Sequence, residues 1–197
     1  MAEVLLIGSG NRDKARELAE LLHGLPWEVK CLKDLPAVAE PEEDGDTFEA
    51  NALKKARFYG AHFDVACVAD DSGLCVDALD GAPGVYSARY GGEHCSYEDN
   101  NRKLLKALAE MPWHERTAHF SCCAAFLPKD HDIPYLAKGV VAGHIAVAPS
   151  GNSGFGYDPL FVPDGEERSF AEMGPEEKHA ISHRGRAFAR IRSFLEL

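Results

Sequence analysis

The chain has 197 residues, of which 45% are apolar and 27% charged, and 21 basic against 32 acidic side chains give a net charge of −11. Ten Phe, with the Val, Leu and Ile around them, supply enough apolar volume for a core and exclude a mainly disordered chain. A field of this sign repels a bare phosphate backbone and so excludes broad nucleic-acid binding; a phosphate ligand needs local Lys or Arg, or a metal ion.

In chain order, Val4 to Ile7 reads as a short buried strand ending at Gly8-Ser9-Gly10-Asn11. A helix follows from about Asp13 to His23, with Ala15, Leu18, Ala19 and Leu22 at helical spacing. Trp27 to Leu32 fits a second strand, and the acidic stretch Glu40 to Asp46 is a loop broken by Pro41 and Gly45. Thr47 is placed to cap a helix whose apolar face holds Phe48, Ala52, Ala56 and Tyr59. Val65 to Ala69 reads as a strand running into Asp70-Asp71-Ser72-Gly73, where a plain turn is the alternative, and Leu74 to Ala78 as a further short strand. Gly81 to Gly92 is loop-like. Ser96, with Asp99 three residues on, caps a helix carrying Leu104, Leu105, Leu108 and Met111. Thr117 to Leu127 and Tyr135 to Val147 read as an antiparallel pair, and Gly151 to Pro163 as a Gly/aromatic loop. Pro175 starts a short helix, and Ser182 caps a last one that buries Ala187, Phe188, Ile191, Phe194 and Leu195. Helices interleaved with strands, some paired antiparallel, give an α/β fold with a mixed sheet.

The six cysteines contain no C-x-x-C spacing and sit mostly in apolar runs, which suits free buried thiols in a reducing cytosol. The apolar run at Met1 to Ile7 is short for a signal peptide and lacks a basic start. No stretch approaches the roughly 18 apolar residues of a membrane span.

Five constellations could carry chemistry. Ser9-Gly10-Asn11-Arg12-Asp13-Lys14, between a strand and a helix, offers backbone N–H groups and short polar side chains to phosphate. It matches neither G-x-x-x-x-G-K-[ST] nor G-x-G-x-x-G, and a capped Gly turn accounts for it equally. Glu40, Glu42, Glu43, Asp44 and Asp46 suit either a solvated loop or a Mg²⁺ site beside phosphate, with Asn51 and Lys55 on the helix that follows. Asp70 and Asp71 stand where α/β proteins build sites, at the carboxyl end of a strand, and adjacent extended residues point oppositely. The glycines around Phe155 in Gly154-Phe155-Gly156-Tyr157-Asp158-Pro159 leave its ring able to stack on a planar base or to pack a core. Lys178 and Ser182-His183-Arg184 put donors near a helix start, for a keto oxygen or a phosphate.

Together these blocks resemble one family, the inosine triphosphate pyrophosphatases, which hydrolyse non-standard purine nucleoside triphosphates. The blocks Ala69-Asp-Asp-Ser-Gly-Leu74, Gly81-Ala-Pro-Gly-Val-Tyr-Ser-Ala-Arg-Tyr90, Gly154-Phe-Gly-Tyr-Asp-Pro159 and Ser182-His-Arg-Gly185 stand in family order. Ser9 departs from the Thr of many members and keeps the hydroxyl. The resemblance implies a single domain over residues 1–197, a two-lobed α/β fold with a long mixed central sheet, helices on its faces and an active-site cleft between the lobes. It further implies a cytoplasmic homodimer with no nucleic-acid or membrane partner.

Residue by residue, the resemblance implies that Ser9, Gly10, Asn11, Arg12, Asp13 and Lys14 wrap the phosphates, with Lys55 in a further phosphate role. Glu42 corresponds to the metal-binding carboxylate, with Glu43 an adjacent candidate. Asp71 corresponds to the catalytic residue and second Mg²⁺ ligand, and Ser72 to a substrate contact. Phe155, Gly156, Tyr157 and Asp158 line the base and sugar pocket, Lys178 binds substrate, and His183 and Arg184 read the base. Donors at 183 and 184 suit the 6-keto group of hypoxanthine and xanthine and oppose the 6-amino group of adenine. The implied reaction is Mg²⁺-assisted attack of water at the α-phosphorus, giving monophosphate and pyrophosphate. A phosphomonoester phosphatase, a nucleotidyl transferase and a nucleotide-binding module without turnover are the rival readings, separated by the products released.

Overall fold

The computed structural model describes residues 3–196. Six strands form one sheet in the order β2-β1-β3-β4-β5-β6. These are β1 (Val4–Ile7), β2 (Glu28–Cys31), β3 (Ala66–Val76), β4 (Thr117–Leu127), β5 (Tyr135–Ile145) and β6 (Phe161–Pro163). β1 is parallel to β2 and to β3, while β6 is antiparallel to β5, so the sheet is mixed. The helices are α1 (Arg12–Leu21), α2 (Phe48–Phe63), α3 (Tyr97–Ala107), α4 (Pro175–Ile181) and α5 (His183–Leu195). None of the described helices is long and apolar enough to cross a membrane.

The chain forms two compact units. The first comprises residues 1–71, 122–139 and 184–197, and the second residues 72–121 and 140–183. In the first, β1 is buried on both faces, as a parallel strand with helices above and below must be. Leu5 and Ile7 join Leu18 of α1, Leu22 just after it, Val68, and Phe188 and Ile191 of α5. Leu6, on the opposite face by the two-residue period of a strand, meets Tyr59 of α2 and Cys67. In the second unit Leu74, Val76, Leu104, Leu108, Phe120, Tyr157, Phe161 and Phe170 share one core.

The helix starts follow the capping residues. The Asn11 side chain accepts from the N–H groups of Asp13 and Lys14 at 2.9 and 3.1 Å. Thr47 accepts from Ala50 N–H at 3.1 Å, and Ser96 and Asp99 form a reciprocal capping box at α3. Two sequence expectations are corrected. The two short strands expected on either side of 70–73 are one, because β3 runs unbroken from Ala66 to Val76. β1 pairs with its Ala66–Val68 end, β4 is its neighbour on the other side, and Asp70 and Asp71 each find partners without a turn. The Gly/aromatic loop is also shorter than its sequence suggests, since Phe161–Pro163 pairs with Gly143–Ile145 as β6.

Candidate active site

The first unit gathers its charge around the middle of β3. Asp70 and Asp71 point to opposite sides of an extended backbone, so their surroundings differ. Asp70 is fully buried. Its Oδ2 lies 3.3 Å from Arg184 Nε, 3.7 Å from Lys14 Nζ and 3.8 Å from Cys122 Sγ. Its Oδ1 is buried with no hydrogen-bond partner. Arg184, 2% exposed, places its other face on Glu17 of α1, with Nη1 2.5 Å from Oε2. Burial would raise the Asp70 carboxyl, but Lys14, Arg184 and Lys55 together hold it well below the usual carboxylate range.

Asp71 accepts from Asn51 Nδ2 at 3.0 Å through Oδ2. Its Oδ1 faces two ammonium groups, Lys55 at 3.8 Å and Lys14 at 3.9 Å. Burial pushes the Asp71 carboxyl above the usual range; Lys14 and Lys55 oppose this, Glu43 adds to it, and the net direction is up. Of the two neighbours, Asp71 is therefore the better proton acceptor. Lys55, buried on α2, reaches Glu43 Oε1 at 2.6 Å. Burial alone would lower its pKa, and Asp71, Asp70 and Glu43 outweigh that and raise it.

The acidic loop thus enters through Glu43. Glu42 is exposed, whereas Glu43 is half-buried against Lys55. Among the described residues no group of three or more His, Cys, Asp or Glu side chains gathers to hold a metal ion. Mg²⁺ needs only one or two protein carboxylates when phosphate oxygens and waters complete its shell. Glu43 and Asp71 already converge on one cation, the Lys55 ammonium, so this donor set fits such an ion.

The phosphate-loop residues lie at the start of α1. Ser9 is buried, Asn11 caps the helix, Arg12 is exposed, and Asp13 pairs with Arg16 at 3.2 Å. Gly10 leaves no room for a Cβ because the Glu40 carboxylate lies against it.

The second unit holds the aromatic loop. Asp158 Oδ2 accepts from Phe155 N–H at 2.8 Å and from Lys178 Nζ at 2.7 Å. Lys178 lies over the Phe155 ring, 5.0 Å from its centroid. Gly154 and Gly156 have φ of +72° and +64° on either side of Phe155, conformations glycine adopts without strain. Tyr157 donates its hydroxyl to Ser87 O at 2.9 Å, which makes it a structural anchor of the loop. His183 stacks on Phe120 with centroids 4.6 Å apart. Ser72 is half-buried on β3. Sequence reasoning does not single out Glu17, three residues after Lys14 on α1, or Asn101, whose Nδ2 donates to Gly156 O at 3.0 Å. The helical spacing of Glu17 from Lys14 was its available signal; Asn101 had none.

A mixed sheet flanked by helices, with adjacent buried carboxylates on its β3 strand facing lysines of α1 and α2, defines an α/β protein equipped to handle anionic ligands. The chain belongs to the Ham1 family, whose model matches residues 5–194. It is similar to a dITP/XTP pyrophosphatase of Geobacter sulfurreducens, 49% identical over 191 residues, which are 97% of this chain and 96% of the relative. One of Bacillus cereus bearing the same name is 43% identical over 95% of this chain and 92% of the relative. Among solved structures, a Ham1 protein of Staphylococcus aureus superposes with a TM-score of 0.86 at 36% identity, covering 98% of both chains. A nucleoside-triphosphatase, dITP/XTP pyrophosphatase, of Mycobacterium abscessus gives 0.75 at 45% identity, covering 95% of this chain and 97% of that one.

Proposed function

We propose that this chain hydrolyses the non-standard purine nucleoside triphosphates ITP, dITP and XTP to nucleoside monophosphate and pyrophosphate. The relatives' shared name, dITP/XTP pyrophosphatase, supports the substrate class. The observation that carries the chemistry is Asp71, a buried carboxylate of raised proton affinity whose Oδ1 faces Lys14 and Lys55.

Asp71 accepts a proton from the attacking water as its oxygen bonds to the α-phosphorus. The bond from that phosphorus to the oxygen bridging it to the β-phosphate breaks, and pyrophosphate departs with the electron pair. Lys14 and Lys55 stabilise the charge gathering on the leaving group, and the Ser9–Lys14 segment, including Gly10, Asn11, Arg12 and Asp13, cradles the phosphates. Glu43 and Asp71 would hold Mg²⁺, with the exposed Glu42 of the same loop as the other candidate ligand. When bound, the ion supplies charge neutralisation and acidifies water. Phe155 offers its ring to the base, Lys178 and Asp158 hold that ring in place, and His183 and Ser72 are further substrate contacts. Arg184 acts on Asp70 and Glu17 and so sets the carboxylate cluster.

Hydrolysis of ITP in ¹⁸O-water with Mg²⁺ should release pyrophosphate and leave the label in the monophosphate. Label in pyrophosphate would move the attack away from the α-phosphorus, and orthophosphate as first product would reject the assignment. The same reading makes the protein a cytosolic homodimer. The free thiols support that compartment, and light scattering on the eluting species tests the dimer.

A further inference from the structure

We infer that Asn51 is a positioning residue for the hydrolysis: it holds the Asp71 carboxylate so that Oδ1 is the reacting oxygen, and fastens the acidic loop to the same point. Asn51 lies one turn before Lys55 on α2 and is 1% exposed. Its amide is used at both ends. Nδ2 donates to Asp71 Oδ2 at 3.0 Å, and Oδ1 accepts from Gly45 N–H at 2.8 Å. The amide has one orientation that satisfies both, because Gly45 N–H needs an acceptor and the carboxylate needs a donor.

A carboxylate can turn about χ2, and a partial turn would swing its free oxygen away from the two lysines. The Asn51 bond stops this by engaging Oδ2, which leaves Oδ1 toward Lys14 and Lys55. The loop side is equally constrained. A Cβ built on Gly45 would lie 2.6 Å from Asn51 Oδ1 and 2.9 Å from the Ala50 Cβ, so only glycine permits this approach. Two residues back, Glu43 closes on Lys55 at 2.6 Å. Asn51 and Lys55, on one helix face, therefore bind the acidic loop and Asp71 into one rigid cluster. The inference rests on the proposed role of Asp71.

The test uses Asn51→Asp, Asn51→Leu and Gly45→Ala, with Asp71→Asn as reference. Asn51→Asp keeps the acceptor for Gly45 N–H but removes the Nδ2 donor to Asp71 and to Gly45 O and sets a second carboxylate beside Asp71, whereas Asn51→Leu removes the same donor without adding charge. kcat and KM for ITP are measured at saturating Mg²⁺, with affinity for a non-hydrolysable α,β-methylene analogue by calorimetry, and thermal unfolding. A misplaced reacting group costs about 10²-fold in rate. Asn51→Asp and Asn51→Leu should both lose about that factor in kcat, with analogue affinity kept within about threefold and Asn51→Asp unfolding near the wild-type temperature. Gly45→Ala should also lower kcat by displacing the amide. An Asn51→Asp enzyme with wild-type kcat beside an inactive Asp71→Asn defeats this inference alone. An active Asp71→Asn defeats the reading of Asp71 and this inference together. Parallel losses of kcat, analogue binding and thermal stability in Asn51→Asp make Asn51 a folding residue and overturn the positioning role.

Discussion

Adjacent residues of an extended strand point to opposite faces, and at Asp70 and Asp71 this puts identical side chains into different electrostatic surroundings. Asp70 is held ionised by Lys14, Arg184 and Lys55, against its burial. A carboxyl whose pKa is depressed on folding stabilises the protein above its unfolded pKa, near 4, and loses that contribution as pH falls toward the folded value. Asp70→Asn leaves Arg184 with a lost partner and should lower the unfolding free energy at pH 7 by about 3–5 kcal/mol. The difference from wild type should shrink below about pH 4, which urea titrations at several pH values would read. Asp71 has the opposite sign. Its raised pKa means that the ionised group costs stability above that value, and the cost is relieved as pH falls. Asp71→Asn should therefore keep or raise the unfolding free energy at pH 7 while losing about 10²–10⁴-fold in kcat. An Asp71→Asn protein that unfolds as easily as Asp70→Asn would mean the two roles are misassigned. A second residue-scale expectation concerns the metal. Glu43→Gln should raise the Mg²⁺ concentration for half-maximal rate by about tenfold, roughly 1.4 kcal/mol, and Glu42→Gln should change it little. Equal effects in a Mg²⁺ titration would remove the distinction drawn from Glu43's contact with Lys55.

The elements were largely legible before the structure. The α1 and α2 periodicities, Thr47, the Ser96/Asp99 pair and Pro175 all act locally, within about one helical turn, and the observed helices begin at or within a residue of where these place them. β3 was not legible as one strand. Asp-Asp-Ser-Gly is turn chemistry, and it yields here to strand pairing and to ion partners from α1, α2 and α5. The loop 154–159 is the converse case, since its glycines do serve a backbone need. At Gly154, φ is +72° and an added Cβ would strike the Asp158 carboxylate that holds Phe155 and Lys178. Gly154→Ala should raise KM for ITP by about tenfold and leave kcat within about threefold, the pattern of a binding group lost equally in ground and transition states. A variant whose kcat falls while KM stays would place this loop in the chemical step instead.

On the scale of the whole molecule, the charge of −11 and the free thiols are the features to test. Cys67, Cys122 and Cys123 are buried, and burial pushes Cys67 up to about 12 and Cys123 to about 11. These thiols are neutral at pH 7 and slow to react. Thermal unfolding should be the same with and without reductant, and a thiol reagent should reach these three positions only after denaturation. A reductant-dependent midpoint would reveal a disulfide and contradict the compartment proposed.

Patterns within a few residues of one another, together with four motifs in order, were enough to determine the helices, the mixed α/β class and the family. They determined them because periodicity, capping and turn chemistry are short-range effects that a linear chain carries on its face. Which residues meet was decided only in three dimensions. Arg184 joins Glu17 across 167 positions and Asp70 across 114, and Asn51 reaches Asp71 across 20. The resemblance makes Arg184, with His183, a reader of the base; that its guanidinium also meets Asp70 and Glu17 shows only in the fold. The resemblance likewise put Glu42 first as the metal ligand with Glu43 beside it, and the contact of Glu43 with Lys55 on α2 shows only in the fold. A buried charge takes its meaning from the groups that surround it, and those come from distant parts of the chain, so the chemistry of this cluster became definite only when the sheet and helices brought them together.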